Sequence, residues 1–115
     1  MSTILYHNPR CSKSRQTLDL LQQKGIEPEI VEYLQKPPDA ATLAEILQQL
    51  GIAPRDLIRT GEDEYKLASD NLANLSDTEL MDWMIKNPKV IQRPIVVTEK
   101  GARIGRPPEN VLEII

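Results

Sequence analysis

With 115 residues, 40% of them hydrophobic, the chain is sized for one domain that buries a core without metal or disulfide staples. A net charge of −3 offers no global attraction to nucleic acid or an anionic membrane, so an anionic ligand must be drawn by a local field. One cysteine excludes an internal disulfide, and one cysteine with one histidine supplies too few ligands for a structural zinc site, so no metal is expected.

The opening MSTILYHNPRC lacks the basic start and long apolar run of a signal peptide. No stretch reaches the roughly 18 apolar residues of a membrane span, and a cytoplasmic protein is expected. With three Tyr, one Trp and no Phe, the core must be built from Leu, Ile and Val.

In chain order, residues 3–7 (TILYH) read as a short strand that Asn8 and Pro9 break, since Pro has no amide donor. A helix is expected from Cys11 to about Lys24. It carries Leu18 and Leu21 on one face with Leu20 beside them, and Gly25 stands at its C-terminal cap. Residues 29–33 (EIVEY) alternate and are β-branched, which predicts a second strand, parallel to the first. Lys36-Pro37-Pro38 ends that unit.

Asp39 then caps a helix bearing Leu43, Ile46, Leu47 and Leu50. Pro54 opens a short helix through Ile58. Residues 60–74 are polar and read as loop with at most one helical turn. Ser76 and Glu79 have the spacing of a capping box ahead of a helix with Leu80, Trp83 and Met84, closed by Asn87-Pro88. Residues 95–98 (IVVT) and 102–104 form a hairpin around Glu99-Lys100-Gly101. Pro107 and Pro108 open a C-terminal helix with Val111, Leu112 and Ile115 facing inward. The order is β-α-β, a helical insertion over about residues 39–90, then β-β-α, within one domain spanning residues 1–115.

The chemistry concentrates at Cys11, which follows a strand and a loop and starts a helix. The first amides of a helix lack intrahelical acceptors and carry partial positive charge, so a thiolate there is stabilised and an oxyanion finds a cradle. Arg10, Lys13 and Arg15 flank the cysteine and His7 lies four residues upstream. Ser14 offers a hydroxyl to the sulfur or to a bound oxyanion. The competing readings are a small buried cysteine, a satisfied structural histidine and a polar first-turn serine.

The segment YHNPRCSKSRQTL resembles the start of the glutaredoxin-coupled arsenate reductase family, in which Cys-x-x-Ser stands where thioredoxin has Cys-x-x-Cys. The resemblance continues through EYLQKPP, GIAPRDLIRTGE and QRPIVVTEKGARIGRPPE, and so covers essentially the whole chain. It implies a thioredoxin-like α/β fold with a mixed four-stranded sheet flanked by helices. It implies Cys11 as catalytic thiol, with His7, Ser14 and Arg15 in the activating loop. Arg59, Arg93 and Arg106 become the oxyanion-binding triad, and Pro94 the proline that thioredoxin-like folds hold cis. By resemblance the substrate is arsenate, which phosphate or sulfate would mimic. The reductant is glutathione, a co-substrate rather than a bound cofactor, and glutaredoxin resolves the mixed disulfide. Ser12 and Lys13 depart from the small residues usual between Cys and Ser, and add positive charge with Arg10.

Two other functions use the same fold. A glutathione-dependent thiol–disulfide reductase differs only in substrate. A redox-linked regulator of RNA polymerase needs the second cysteine that Ser14 replaces. Convergence of the arginines on Cys11 favours a small oxyanion, whereas an open groove beside the sulfur favours a peptide or glutathione adduct.

Overall fold

The computed structural model describes residues 3–115, and the β-branched run near its start forms β1 (Ile4–Tyr6). The chain divides into two units. One holds residues 3–36 and 93–115, and the other, Pro37–Gln92, interrupts it.

In the first unit, β1 leads through a loop to α1 (Ser12–Gln23) and returns to β2 (Glu29–Val31). α1 ends where Gly25 takes a left-handed φ of 77°. There the N–H groups of Gly25 and Ile26 return to the carbonyls of Gln22 and Leu21. β3 (Ile95–Thr98) and β4 (Gly101–Ile104) form the hairpin. The sheet order is β2-β1-β3-β4. β1 runs parallel to β2, with Leu5 opposite Ile30, and antiparallel to β3, with Leu5 opposite Val96. This is the mixed four-stranded sheet of a thioredoxin-like fold. Leu5 and Val96, on its central strands, join Leu21, Val111 and Ile114 in one buried cluster. Each such side chain contributes about 1.5–3 kcal/mol by leaving water.

Two expectations fail here for identifiable reasons. β2 stops at Val31 instead of reaching Tyr33, because Glu32 opens a turn: its carbonyl accepts the N–H groups of Gln35 and Lys36. Tyr33 is buried from that turn, not from the strand. At the C-terminal end, Pro108–Ile114 is a 3₁₀ segment, not an α-helix. Three residues per turn put Pro108, Val111 and Ile114 on one buried side, while Leu112 is 40% exposed. Ile115 is half-buried against the cluster.

In the second unit, Asp39 caps α2 (Ala40–Leu50), accepting from the Thr42 N–H at 2.8 Å. Pro54–Leu57 is a 3₁₀ turn, shorter than expected, because Ile58 leaves it to pair with Ile91. α3 (Asp63–Leu72) occupies the stretch read as loop. The helix buries only Leu72, so it lacks the apolar stripe that betrays a helix in sequence. Instead, Asp63 and Glu64 sit favourably in its first turn, and Arg55 Nη2 donates to the carbonyls of Leu72 and Leu75 at its end. α4 (Asp77–Lys86) starts at the expected capping box: Ser76 N–H donates to Glu79 Oε1, and Glu79 N–H to Ser76 Oγ. Its Leu80 and Met84 are fully buried, and it packs against α2, the Pro54–Leu57 turn and a second 3₁₀ turn, Pro88–Val90. No helix among the described residues is long and apolar enough to cross a membrane.

Candidate active site

Cys11 is the N-cap of α1, held by its extended backbone and by its N–H donating to the Asn8 carbonyl at 2.9 Å. The loop before it is fixed from inside. Asn8 Oδ1 accepts the Arg10 N–H at 3.0 Å, and the Asn8 N–H donates to Ser14 Oγ, also at 3.0 Å. Ser14 Oγ lies 2.8 Å from His7 Nδ1, and His7, Asn8 and Ser14 are all buried. Ser14 Oγ thus accepts from the Asn8 N–H and shares a second hydrogen bond with His7 Nδ1. Burial is the main cause holding His7 below its ordinary value; the Glu32 charge opposes it and Arg15 adds to it.

The Ser14 hydroxyl is engaged by His7 and Asn8, and the Ser14 backbone N–H acts on the sulfur. Burial alone would raise the Cys11 thiol. That effect is outweighed by the N–H groups of Ser14 and Lys13, the Arg93 side chain and the Arg106 charge, so the thiol titrates below its ordinary value. The two amides act on the sulfur without closing a regular cap hydrogen bond. α1 carries no acid in its first turn to oppose them.

The flanking cations expected to activate Cys11 are not the ones that do so. Arg15 Nη1 donates to the Pro9 carbonyl at 2.9 Å and braces the loop. Arg10 is exposed, and Lys13 contributes through its backbone. The charge at the sulfur comes from the far end of the chain. Arg106 Nη2 donates to Cys11 Sγ at 3.7 Å, while its Nε donates to the Arg93 carbonyl at 2.8 Å. Arg93 donates to the same sulfur from its side chain. The bonds Arg93–Pro94 and Arg106–Pro107 are both cis, and Pro94 is buried.

Arg93 and Arg106 therefore meet Cys11 within the first unit. Arg59 lies in the second unit, after the Pro54–Leu57 turn. There its N–H donates to the Val90 carbonyl and its guanidinium faces Glu62 at 3.5 Å. Among the described residues, no three His, Cys, Asp or Glu side chains gather to hold a metal. Asn8, read from the sequence only as a strand breaker, also holds the loop, and Thr17 and Gly105 carried no sequence expectation. For Gly105 the available signal was a glycine directly before a site arginine, where backbone must come close to something.

Fold and site together define a class: a thioredoxin-like protein with one activated cysteine at a helix start and arginines converging on it. The ArsC family pattern matches residues 6–114, and the chain belongs to the ArsC family. It is 50% identical over 117 residues to an arsenate reductase of Haemophilus influenzae, covering the whole of both chains. It is 54% identical over 112 residues to the uncharacterized protein YfgD of Escherichia coli K12, covering 96% of this chain and 94% of that one. The solved structure of an arsenate reductase from Vibrio cholerae superposes with a TM-score of 0.94 at 47% identity, covering 100% of this chain and 98% of that one.

Proposed function

We propose that the protein reduces arsenate to arsenite, with Cys11 as nucleophile and an external thiol as reductant. The observation that carries this is the guanidinium of Arg106 on the Cys11 sulfur, beside the open amides of α1. A thiolate and oxyanion donors meet there. Planar guanidinium groups suit a tetrahedral oxyanion because they donate in pairs.

The Cys11 thiolate attacks arsenic. One arsenate hydroxyl takes up a proton and leaves as water, and an S–As bond replaces it. Arg93, Arg106 and the amides of Lys13 and Ser14 balance the charge that develops on the remaining oxygens. The family resemblance gives Arg59 the same task. A second thiol then attacks the Cys11 sulfur. The S–As bond breaks with its electron pair left on arsenic, which falls from As(V) to As(III) and departs as arsenite. The chain has no second cysteine, so this thiol comes from outside and the product is a mixed disulfide on Cys11. Glutathione fits as that thiol, with glutaredoxin freeing Cys11 by exchange. A free thiolate nucleophile suits a reducing cytoplasm. Phosphate has nearly the same shape and charge as arsenate, so it binds the same donors and inhibits competitively.

The test is arsenate-dependent NADPH consumption with glutathione, glutaredoxin and glutathione reductase supplied. Turnover that disappears in Cys11→Ser and falls in Arg93→Ala, Arg106→Ala and Arg59→Ala supports the assignment. Undiminished turnover in Cys11→Ser removes it. No turnover by a wild-type protein whose thiolate still forms transfers the assignment to thiol–disulfide exchange with a glutathione adduct.

A further inference from the structure

The arginine at the sulfur sits on a short stalk of backbone whose placement depends on one residue. Gly105 directly follows β4 and precedes Arg106. It is buried, and its N–H donates to the Pro94 carbonyl at 2.9 Å. A Cβ built on Gly105 would stand 2.5 Å from Thr17 Oγ1 and 2.8 Å from Pro94 Cγ. Both are far inside ordinary contact, which begins at about 3.5 Å between heavy atoms. Neither neighbour yields easily. Thr17 is fully buried on α1 and its hydroxyl is spent on the Lys13 carbonyl at 2.9 Å. Pro94 is a buried ring.

The same three residues carry the parts of the site. Lys13, bonded to Thr17, presents one of the amides that act on the sulfur. Pro94 follows Arg93, whose carbonyl holds Arg106 Nε. Past the glycine, the Arg106 carbonyl accepts from Asn110 Nδ2 at 3.1 Å, so the stalk is fixed on both sides.

We propose that Gly105 is a positioning residue: its missing side chain lets the backbone just past β4 close against Thr17 and Pro94, and this sets the distance between Arg106 and Cys11. The inference rests on Cys11 being the reacting thiol and not on arsenate being its substrate. A methyl group at position 105 must open the contact by about 1 Å to restore ordinary packing. The guanidinium retreats from the sulfur by a similar amount.

The experiment measures iodoacetamide alkylation of Cys11 against pH and needs no arsenate, so it stands even if the reductase assignment fails. In Gly105→Ala the pH midpoint rises by about 0.2 of a unit, the size expected when a solvent-screened unit charge moves back from 3.7 Å by about 1 Å. Thr17→Ala added to Gly105→Ala vacates one side of the contact and recovers at least half of that rise. In an Arg106→Ala background, Gly105→Ala adds no further shift, because the arginine it positions is gone. If Gly105→Ala does not melt cooperatively, Thr17→Val replaces it. That change swaps the oxygen facing Gly105 for a bulkier methyl, and the midpoint rises again. An unmoved midpoint in a folded Gly105→Ala protein, or an equal shift with and without Arg106, overturns the proposal.

Discussion

Replacing Arg106 by alanine removes the guanidinium whose Nη2 lies 3.7 Å from Cys11 Sγ. At that separation, opposite unit charges attract by about 1 kcal/mol in a water-like dielectric and by about 4 kcal/mol at an effective dielectric of 20. Arg106 is exposed and the sulfur half-buried, so solvent screens the pair and the lower figure applies. About 1 kcal/mol corresponds to about 0.7 of a pH unit. The sign follows from the charge: losing a cation disfavours the thiolate, so the thiol midpoint of Arg106→Ala rises. Well below both midpoints, alkylation by iodoacetamide therefore slows about five-fold. The wild-type difference shrinks in high salt, as for any exposed pair. The assay is the alkylation rate across pH, with urea unfolding of the same variant run in parallel. A midpoint that stays in place while the fold is intact would refute the placement of Arg106 on the sulfur.

Further expectations concern the loop that presents Cys11. Ser14→Ala strands the buried Asn8 N–H and the His7 Nδ1, so it costs about 1–3 kcal/mol in urea unfolding; a neutral result would show that those two bonds carry no weight. His7 titrates lower in the folded chain than its ordinary 6.5, so the unfolded chain binds more protons as pH falls. The stability it contributes is complete above about pH 6.5 and is lost as pH drops through the folded value. The urea midpoint should therefore fall more between pH 7.5 and 5.5 for the wild type than for His7→Gln, and parallel falls would contradict this.

Much of the fold was legible because it follows local rules. Asp39, Ser76 with Glu79, Gly25 and the prolines each satisfy or refuse a particular backbone group, and the structure puts helix ends where those residues stand. The hairpin of β3 and β4 and the β1-α1-β2 start were equally plain from β-branched runs and breakers. α3 was not legible, since one buried leucine makes no periodic pattern and its C-terminal end is held by Arg55, distant in sequence. The C-terminal segment misled for a related reason. Its apolar residues fit either helical period, and the inward choice of Val111 with Ile114 over Leu112 was made by packing on Leu5 and Val96.

The site divides along the same line. A lone cysteine after a strand, at a helix start, already points to a stabilised thiolate and excludes an internal disulfide, because both follow from composition and backbone polarity, while the competing reading of a small buried cysteine was left to the tertiary structure. Which cations act on that sulfur could not be read from proximity in sequence. Arg10, Lys13 and Arg15 are neighbours by number, yet the guanidinium groups on the sulfur belong to Arg93 and Arg106. Charge acts through space at a few ångströms, and only the pairing of β1 with β3 and β3 with β4, closed by the absent side chain of Gly105, brings the distant end of the chain to the first turn of α1.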